Sequence, residues 1–330
     1  MAPSFTFGQR GLLDNPTTTD APSRANRWWV RALQAVVLVG AGYYLVSIAA
    51  PHWPAISSRN LAWRVGPLLA SAVLVLITLA VLLAAWTTSL RWCAAPVRYR
   101  DAARIWFTAN LARFIPGTVW QFASLAVMAT RYRVAPLAAT ATVLLEQIVL
   151  LITGLLVLAT LTPAVLHAAW WQAAFAVAAG LGAVGLLVPR PGGGVGRWLE
   201  RRMPGVRVLW SGMTAARLAQ FGLVLVVPWL LYGAAFRLLA VGVLGTAPGS
   251  WGFYIAAFTG SYVAGVIAVL APAGLIVREA ALISVLAPVV GSGDAVILAV
   301  ASRIWLTALE LLGALIVLTL PFNASPPEAS

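Results

Sequence analysis

The sequence predicts an all-α protein, a polytopic transmembrane helical bundle. Of its 330 residues, 61% are hydrophobic and only 9% are charged, and the mean hydropathy is +0.91. A water-soluble domain needs more polar surface than this composition provides. Apolar runs of about twenty residues, the length of a membrane-spanning helix, also recur along the chain.

About seven apolar runs are long enough to be full membrane spans. They lie at roughly 30–50, 66–90, 137–162, 168–189, 218–245, 252–271 and 294–320. Two further segments, near 105–130 and 272–290, are shorter or interrupted and are predicted to be broken or re-entrant helices. Residues 27–322 are therefore expected to form a single transmembrane domain, between a flexible cytoplasmic tail at 1–26 and a short tail at 323–330.

The positive charge of the chain is concentrated in a few connecting segments. The formal net charge is +13, and arginines cluster before the first span, between residues 91 and 133, and in the loop around 190–217. Because cytoplasmic loops retain positive charge, this distribution predicts a multi-pass protein of the cell membrane with a cytoplasmic N-terminus. The same charge therefore needs no nucleic-acid partner.

Catalytic and metal-binding patterns are absent from the sequence. Both histidines, His52 and His167, fall in predicted outward-facing turns, and Cys93 is the single cysteine. No Gly-x-Ser-x-Gly motif or cluster with metal-ligand spacing occurs. We therefore expect neither an enzyme nor a bound metal or cofactor.

Five charged residues are predicted to lie inside the apolar segments: Glu146, Arg278, Glu279, Arg303 and Glu310. Each costs about 2.5 to 3.5 kcal/mol at the centre of a membrane helix, so each requires a partner or a polar cavity. Adjacent residues point about 100° apart on a helix, so Arg278 and Glu279 are expected to find partners elsewhere. Cross-helix pairs such as Glu146 with Arg303, or Arg278 with Glu310, would satisfy the charges. The alternative is that these residues are only structural ion pairs.

The two broken segments resemble each other. Pro116-Gly117 precedes Gln121, and Pro272-Ala273-Gly274 precedes Arg278 and Glu279. About thirty residues after each proline a charged residue stands inside an apolar helix, followed by a glycine. The residues are Glu146 and Gly154 in one case, and Arg303 and Gly313 in the other. Broken helices in corresponding halves are typical of transporters built from repeats, so the sequence indicates a possible internal repeat.

Helix ends beside arginines favour an anion site. Helix N-termini offer unpaired N–H donors, and arginine offers a planar fork that suits phosphate. We therefore expect a lipid phosphate to bind among Arg113, Arg278 and Arg303, with Glu146 and Glu279 holding the arginines. Gln121 is a further headgroup contact. The segment RYRDAARIWFTANLARF, residues 98–114, predicts an amphipathic helix along the cytoplasmic interface.

Two stretches resemble signatures of the lysylphosphatidylglycerol synthase transmembrane family, a flippase-like membrane region. The first is NLARFIPGTVWQFASLAVMATRYRVAPLAATATVLLEQIVLL, and the second is LAPAGLIVREAALISVLAP followed by AVILAVASRIWLTALELLGALI. The positions that match are Asn110, Arg113, Pro116, Gly117, Glu146, Gly274, Arg278, Glu279 and Arg303. The family's second break usually has consecutive glycines after its proline, whereas this chain has Ala273-Gly274-Leu275.

The resemblance implies a flippase or transporter that moves a lipid between leaflets. The ligand would be an anionic phospholipid or a polyprenyl-phosphate-linked molecule, and lipid aminoacylation is not expected because no synthase domain is recognised. A membrane-integral enzyme or subunit that modifies a lipid-linked sugar, and a small-solute carrier, are the alternatives. No nucleotide-binding motif occurs, so transport is downhill or ion-coupled, with Glu146, Glu279 and Glu310 as candidate proton carriers.

Overall fold

The computed structural model describes residues 50, 61–93, 95, 97–112, 119–132, 134–166, 213–269 and 274–319. In these residues all regular secondary structure is helical, with no strand. Eight helices follow one another there: α1 Val65–Trp92, α2 Tyr99–Leu111, α3 Val119–Arg131, α4 Pro136–Leu166, α5 Ala215–Leu244, α6 Trp251–Val269, α7 Gly274–Val290 and α8 Ser292–Thr319.

Five of the described helices, α1, α4, α5, α6 and α8, are long and apolar enough to cross a membrane. They coincide with five of the predicted spans, because an uninterrupted apolar run of about twenty residues satisfies its backbone hydrogen bonds only as a helix. The five helices are therefore confirmed, and each has the length and composition of a membrane span. The spans predicted at 30–50 and 168–189 lie outside the described residues.

The remaining three helices belong to the segments predicted to be broken. α2 and α3 have 13 residues each, and α7 has 17. A helix of 13 residues is about 20 Å long, which is too short for a hydrocarbon core of about 30 Å. α2 ends at Leu111 and α3 begins at Val119. The predicted breaker Pro116-Gly117 itself lies outside the described residues.

α1 and α5 pack against each other in opposite directions. Before α1, the backbone N–H of Ala62 donates to the carbonyl of Val243 near the end of α5, at 2.8 Å. At the other end of α1, the Trp92 ring lies 5.3 Å from the Phe221 ring near the start of α5. The N-terminal end of α1 therefore meets the C-terminal end of α5, and the reverse.

The other helices surround this pair. α2 packs on α3 and α6 on α7, while α4 contacts both α3 and α6, and α8 contacts both α2 and α7. α2 lies within the amphipathic helix expected at 98–114. It packs on α1, α3 and α8, and its Arg104 is buried. The amphipathic pattern of α2 thus reflects helix packing on several sides.

Several glycines allow close helix contacts in this arrangement, and two of them, Gly154 and Gly313, stand in the helices α4 and α8. A Cβ atom on Gly154 of α4 would lie 2.8 Å from the Trp229 ring of α5 and 3.3 Å from Val263 of α6. A Cβ atom on Gly313 of α8 would lie 2.8 Å from the Phe107 ring of α2. Real Cβ atoms do not approach neighbours this closely, so both contacts require glycine.

Candidate functional site

Three of the predicted site residues form one charged cluster between α7 and α8. The Glu279 carboxylate atom Oε1 lies 3.4 Å from Nη1 of Arg278 and 3.5 Å from Nη1 of Arg303. Glu279 finds the expected partner on another helix, Arg303, but it also pairs with Arg278, which the sequence did not predict. The Arg278 and Glu279 side chains leave the helix in different directions, but both are long enough to bend toward each other, and Glu279 bridges the two arginines.

Arg278 is held against α6. The residue is 6% exposed, and its guanidinium carbon lies 5.4 Å from the centre of the Phe258 ring, at the outer range of a cation–π contact. On the same face of α6, a Cβ atom at Gly265 would lie 2.9 Å from Cβ of Arg278. The absence of a side chain at Gly265 therefore lets α7 bring the arginine into the bundle.

Two polar atoms of the cluster have unsatisfied hydrogen-bonding groups. The buried atoms Nη2 of Arg278 and Oε2 of Glu279 have no hydrogen-bond partner. Arg278 and Arg303 both contact the same Glu279 atom, Oε1. A buried guanidinium N–H without an acceptor is costly, and an anionic oxygen placed there would satisfy it.

Glu146 lies apart from this cluster. The residue is 4% exposed, and its atom Oε1 has no hydrogen-bond partner. The two cross-helix pairs expected from the sequence, Glu146 with Arg303 and Arg278 with Glu310, are not formed. The reason is helix neighbourhood: α4 packs on α1, α3, α5 and α6, whereas α8 packs on α1, α2, α5 and α7.

The other predicted residues are distributed over several helices. Asn110 lies in the last turn of α2, Gly274 begins α7, and Glu310 lies in α8. Glu310 has a buried carboxylate atom, Oε2, without a hydrogen-bond partner. Gln121 is in α3, but its side chain lies outside the described part of the chain, as do Arg113, Pro116 and Gly117.

Two arginines within the bundle were not among the predicted site residues. Arg104 of α2 is only 9% exposed. Arg237 of α5 lies with its guanidinium carbon 4.3 Å from the centre of the Trp251 ring, and its buried atom Nε has no hydrogen-bond partner. Arg237 stands inside the apolar run of α5, so the sequence signal used for Arg303 applies to it as well.

The described residues contain no group of three or more histidine, cysteine, aspartate or glutamate side chains that is placed to hold a metal ion. No protein-family model matches the chain, and no curated protein matches it significantly. The case for a function therefore rests on the charged residues and the helix packing.

Proposed function

We propose that this chain moves an anionic phospholipid, or a polyprenyl-phosphate-linked lipid, between the leaflets of the cell membrane. The observation that supports this most directly is the buried Arg278, whose atom Nη2 lacks an acceptor beside Glu279 and Arg303. A phosphate oxygen of a lipid headgroup is the acceptor that such a guanidinium favours. The lipid tails remain in the bilayer while the headgroup passes the cluster.

The proposal includes an orientation in the membrane. Exposed arginines, among them Arg91 and Arg217, lie at the end of α1 and the beginning of α5, which the antiparallel packing brings to the same side. The opposite connection, residues 245–250, has no charged residue. By the positive-inside rule the arginine-rich side is cytoplasmic.

We further propose that α1–α4 and α5–α8 are two inverted repeats, in which each helix of the first set corresponds to the same helix of the second. The contacts support this correspondence: α2 packs on α8 and α6 on α4, while α1 packs on its own counterpart, α5. Gly313 meets α2 as Gly154 meets α6. Inverted repeats with broken helices are typical of transporters that open alternately to the two sides.

We also propose that the chain belongs to the lysylphosphatidylglycerol synthase transmembrane family, which it resembles. This proposal rests on the two sequence signatures that contain Glu146, Arg278, Glu279 and Arg303. If it holds, related chains should carry the same buried cluster between the helices that correspond to α7 and α8.

The test is leaflet exchange in liposomes. The purified chain is reconstituted with fluorescent phosphatidylglycerol or phosphatidylcholine, and the fraction of label accessible from outside is followed with time. Replacing Arg278 with glutamine removes a charge-assisted contact, worth about 1.5 to 3 kcal/mol, so exchange should slow by about tenfold to a hundredfold. Arg217→Gln is the matched control, because Arg217 is exposed at the start of α5.

Folding must be established separately for each variant. Gel filtration and thermal melting of the detergent-solubilised proteins show whether Arg278→Gln folds as the wild type does. If Arg278→Gln folds normally and exchanges phosphatidylglycerol at the wild-type rate, Arg278 does not bind the headgroup. If the wild type accelerates exchange of no anionic lipid over protein-free liposomes, the transport proposal is wrong.

A further inference from the structure

A cavity of about 720 Å³ opens between α1, α2 and α8. This volume lies within the range of about 300 to 1,000 Å³ that is usual for ligand pockets in proteins. It is separate from the cluster of Arg278, Glu279 and Arg303, none of which lines it. We call this cavity the α1–α2–α8 groove. Its two ends differ in chemistry.

One end of the α1–α2–α8 groove is positively charged. Arg98, Arg100 and Arg104 line it, together with the single acidic residue Asp101. Arg98 and Arg100 are exposed, whereas Arg104, one helical turn after Arg100, is buried within the groove wall. Three arginines against one aspartate leave an excess of positive charge at this end.

The beginning of α2 strengthens this preference for an anion. Arg98 is the N-cap residue of α2, and its side chain accepts no hydrogen bond from the first turn of the helix. The N–H groups of Asp101 and Ala102 donate to the carbonyl of Arg98, so those of Tyr99 and Arg100 remain at the positive end of the helix dipole. A phosphate at this position would meet both the arginines and these N–H donors.

The rest of the groove is apolar. Leu76, Leu79 and Leu83 of α1 form one wall, and Ile316 and Val317 of α8 form another. Leucines three and four positions apart share one face of α1; Leu79 and Leu83 are each 3% exposed, and Leu76 is half-buried. A hydrated ion or sugar gains nothing from such a surface, whereas a hydrocarbon chain does.

The corresponding junction of α4, α5 and α6 has a larger side chain in the same place. The α1 residue closest to Gly313 is Leu79, whereas the α5 residue closest to Gly154 is Trp229. Trp229 is 1% exposed and packs edge-on against Tyr262, with the ring centres 5.3 Å apart. Leu79 is smaller than Trp229. It leaves room at the junction on the arginine-rich side, whereas Trp229 fills the corresponding junction on the other side.

We propose that the α1–α2–α8 groove binds one anionic phospholipid, with its phosphate against Arg98, Arg100 and Arg104 and an acyl chain along the leucines of α1. The charged end and the apolar walls match the two parts of this ligand. The groove would be the place where a lipid enters the protein, and this role rests on the proposed transport function. Lipid binding in the groove does not depend on that function. Binding itself is measured without transport.

The experiment measures lipid binding by native mass spectrometry of the full chain in detergent. The probes are phosphatidylglycerol, phosphatidylcholine and inorganic phosphate. We expect one phosphatidylglycerol to remain bound to each chain and phosphatidylcholine to bind at least about tenfold more weakly, because each arginine near the membrane surface contributes about 1 kcal/mol toward an anionic lipid. Inorganic phosphate at millimolar concentration should not displace the lipid.

Two variants test the two ends of the groove. The double change Arg98→Gln and Arg100→Gln should weaken phosphatidylglycerol binding by about tenfold or more, since two favourable charges are removed. Ala80→Trp places a ring in the apolar part, at an exposed wall position, and should reduce binding of either lipid. The matched controls are Arg91→Gln and Leu223→Trp, which change exposed residues outside the groove and should bind as the wild type.

Several outcomes would overturn the assignment. Equal binding of both lipids would show that the arginines do not select an anionic lipid. Displacement of the lipid by inorganic phosphate would show that the site binds only the phosphate ion. If Ala80→Trp binds lipid as the wild type does, the acyl chain of the lipid does not lie in the groove. If phosphatidylglycerol does not bind while Arg278→Gln still slows leaflet exchange, the groove assignment is wrong and the transport proposal stands. If the groove variants lose binding but exchange at the wild-type rate, the site stands and its role in lipid entry is wrong.

Discussion

Replacing Glu279 with glutamine should destabilise the bundle by leaving the buried Arg278 and the partly exposed Arg303 without their shared carboxylate. Arg278 and Arg303 each approach the same oxygen of Glu279, at 3.4 and 3.5 Å. Glutamine keeps the shape and a carbonyl oxygen but removes the negative charge. The two guanidinium groups would then repel each other in surroundings that screen them poorly.

The magnitude follows from how deeply each partner is buried. Removing one partner of a buried ion pair costs about 3 to 5 kcal/mol. The Arg278 side chain is 8% exposed, but that of Arg303 is 24% exposed and is therefore less desolvated. We therefore expect a loss of about 3 kcal/mol for Glu279→Gln, at the lower end of that range.

The assay is reversible unfolding in mixed dodecyl sulfate and dodecyl maltoside micelles, followed by tryptophan fluorescence. Glu279→Gln, Arg303→Gln and the double variant form a double-mutant cycle. Contacting residues of this kind couple by about 0.5 to 3 kcal/mol, so the double variant should be more stable than the sum of the single changes predicts. A second cycle with the exposed Arg91 in place of Arg303 is the control and should give no coupling.

Two results would refute the reasoning. If Glu279→Gln unfolds at the same dodecyl sulfate fraction as the wild type, the carboxylate does not hold the arginines in place. If the cycles with Arg303 and with Arg91 give the same coupling, the interaction seen at 3.5 Å contributes nothing specific.

Three further predictions address the packing, the single thiol and the orientation. Gly154→Ala should destabilise the bundle by about 1 to 3 kcal/mol in the same unfolding assay, because of overpacking. A Cβ atom at Gly66 would have no neighbour within 4 Å, so Gly66→Ala should stabilise the bundle by about 0.5 to 1 kcal/mol. Equal effects of the two changes would contradict the close α4–α5 contact. Burial raises the pKa of Cys93 to about 11, so maleimide labelling of the folded protein at pH 8 should be slow. The labelling rate should rise by about tenfold per pH unit toward that pKa, and labelling should become fast in dodecyl sulfate. Equally fast labelling of folded and unfolded protein at pH 8 would contradict the burial. In intact cells carrying Cys93→Ser, a membrane-impermeant maleimide should label Thr246→Cys in the connection after α5 but not Ala216→Cys at its start; the reverse pattern would invert the orientation.

The spans were predictable because the information is local. A run such as residues 66–90 is apolar throughout, and the corresponding helix is Val65–Trp92. The short α2 and α3 were also predictable, because the polar and breaker residues between them interrupt the apolar pattern. In each case the backbone of one segment satisfies its own hydrogen bonds, so neighbours are not needed to decide the outcome.

The partners of the charged residues were not predictable in the same way. The sequence indicated that Glu146, Arg278 and Arg303 each required compensation, but the pair chosen for Glu146 was wrong because α4 and α8 are not packed side by side as that pair requires. Arg104 lies in the helix expected at 98–114, but the sequence did not indicate that it is buried in the wall of the α1–α2–α8 groove. Both differences concern which helices are neighbours.

The sequence by itself therefore determined that this is a chain of apolar helices, interrupted in two places and containing charged residues that need compensation. Hydrophobicity and backbone hydrogen bonding act within a segment, and they suffice for that conclusion. Only the tertiary structure decided that Glu279 bridges Arg278 and Arg303, and that arginines and leucines border one groove. Such contacts depend on how helices far apart in sequence pack, because a side chain's electrostatic partner must lie within a few ångströms whatever its position along the chain.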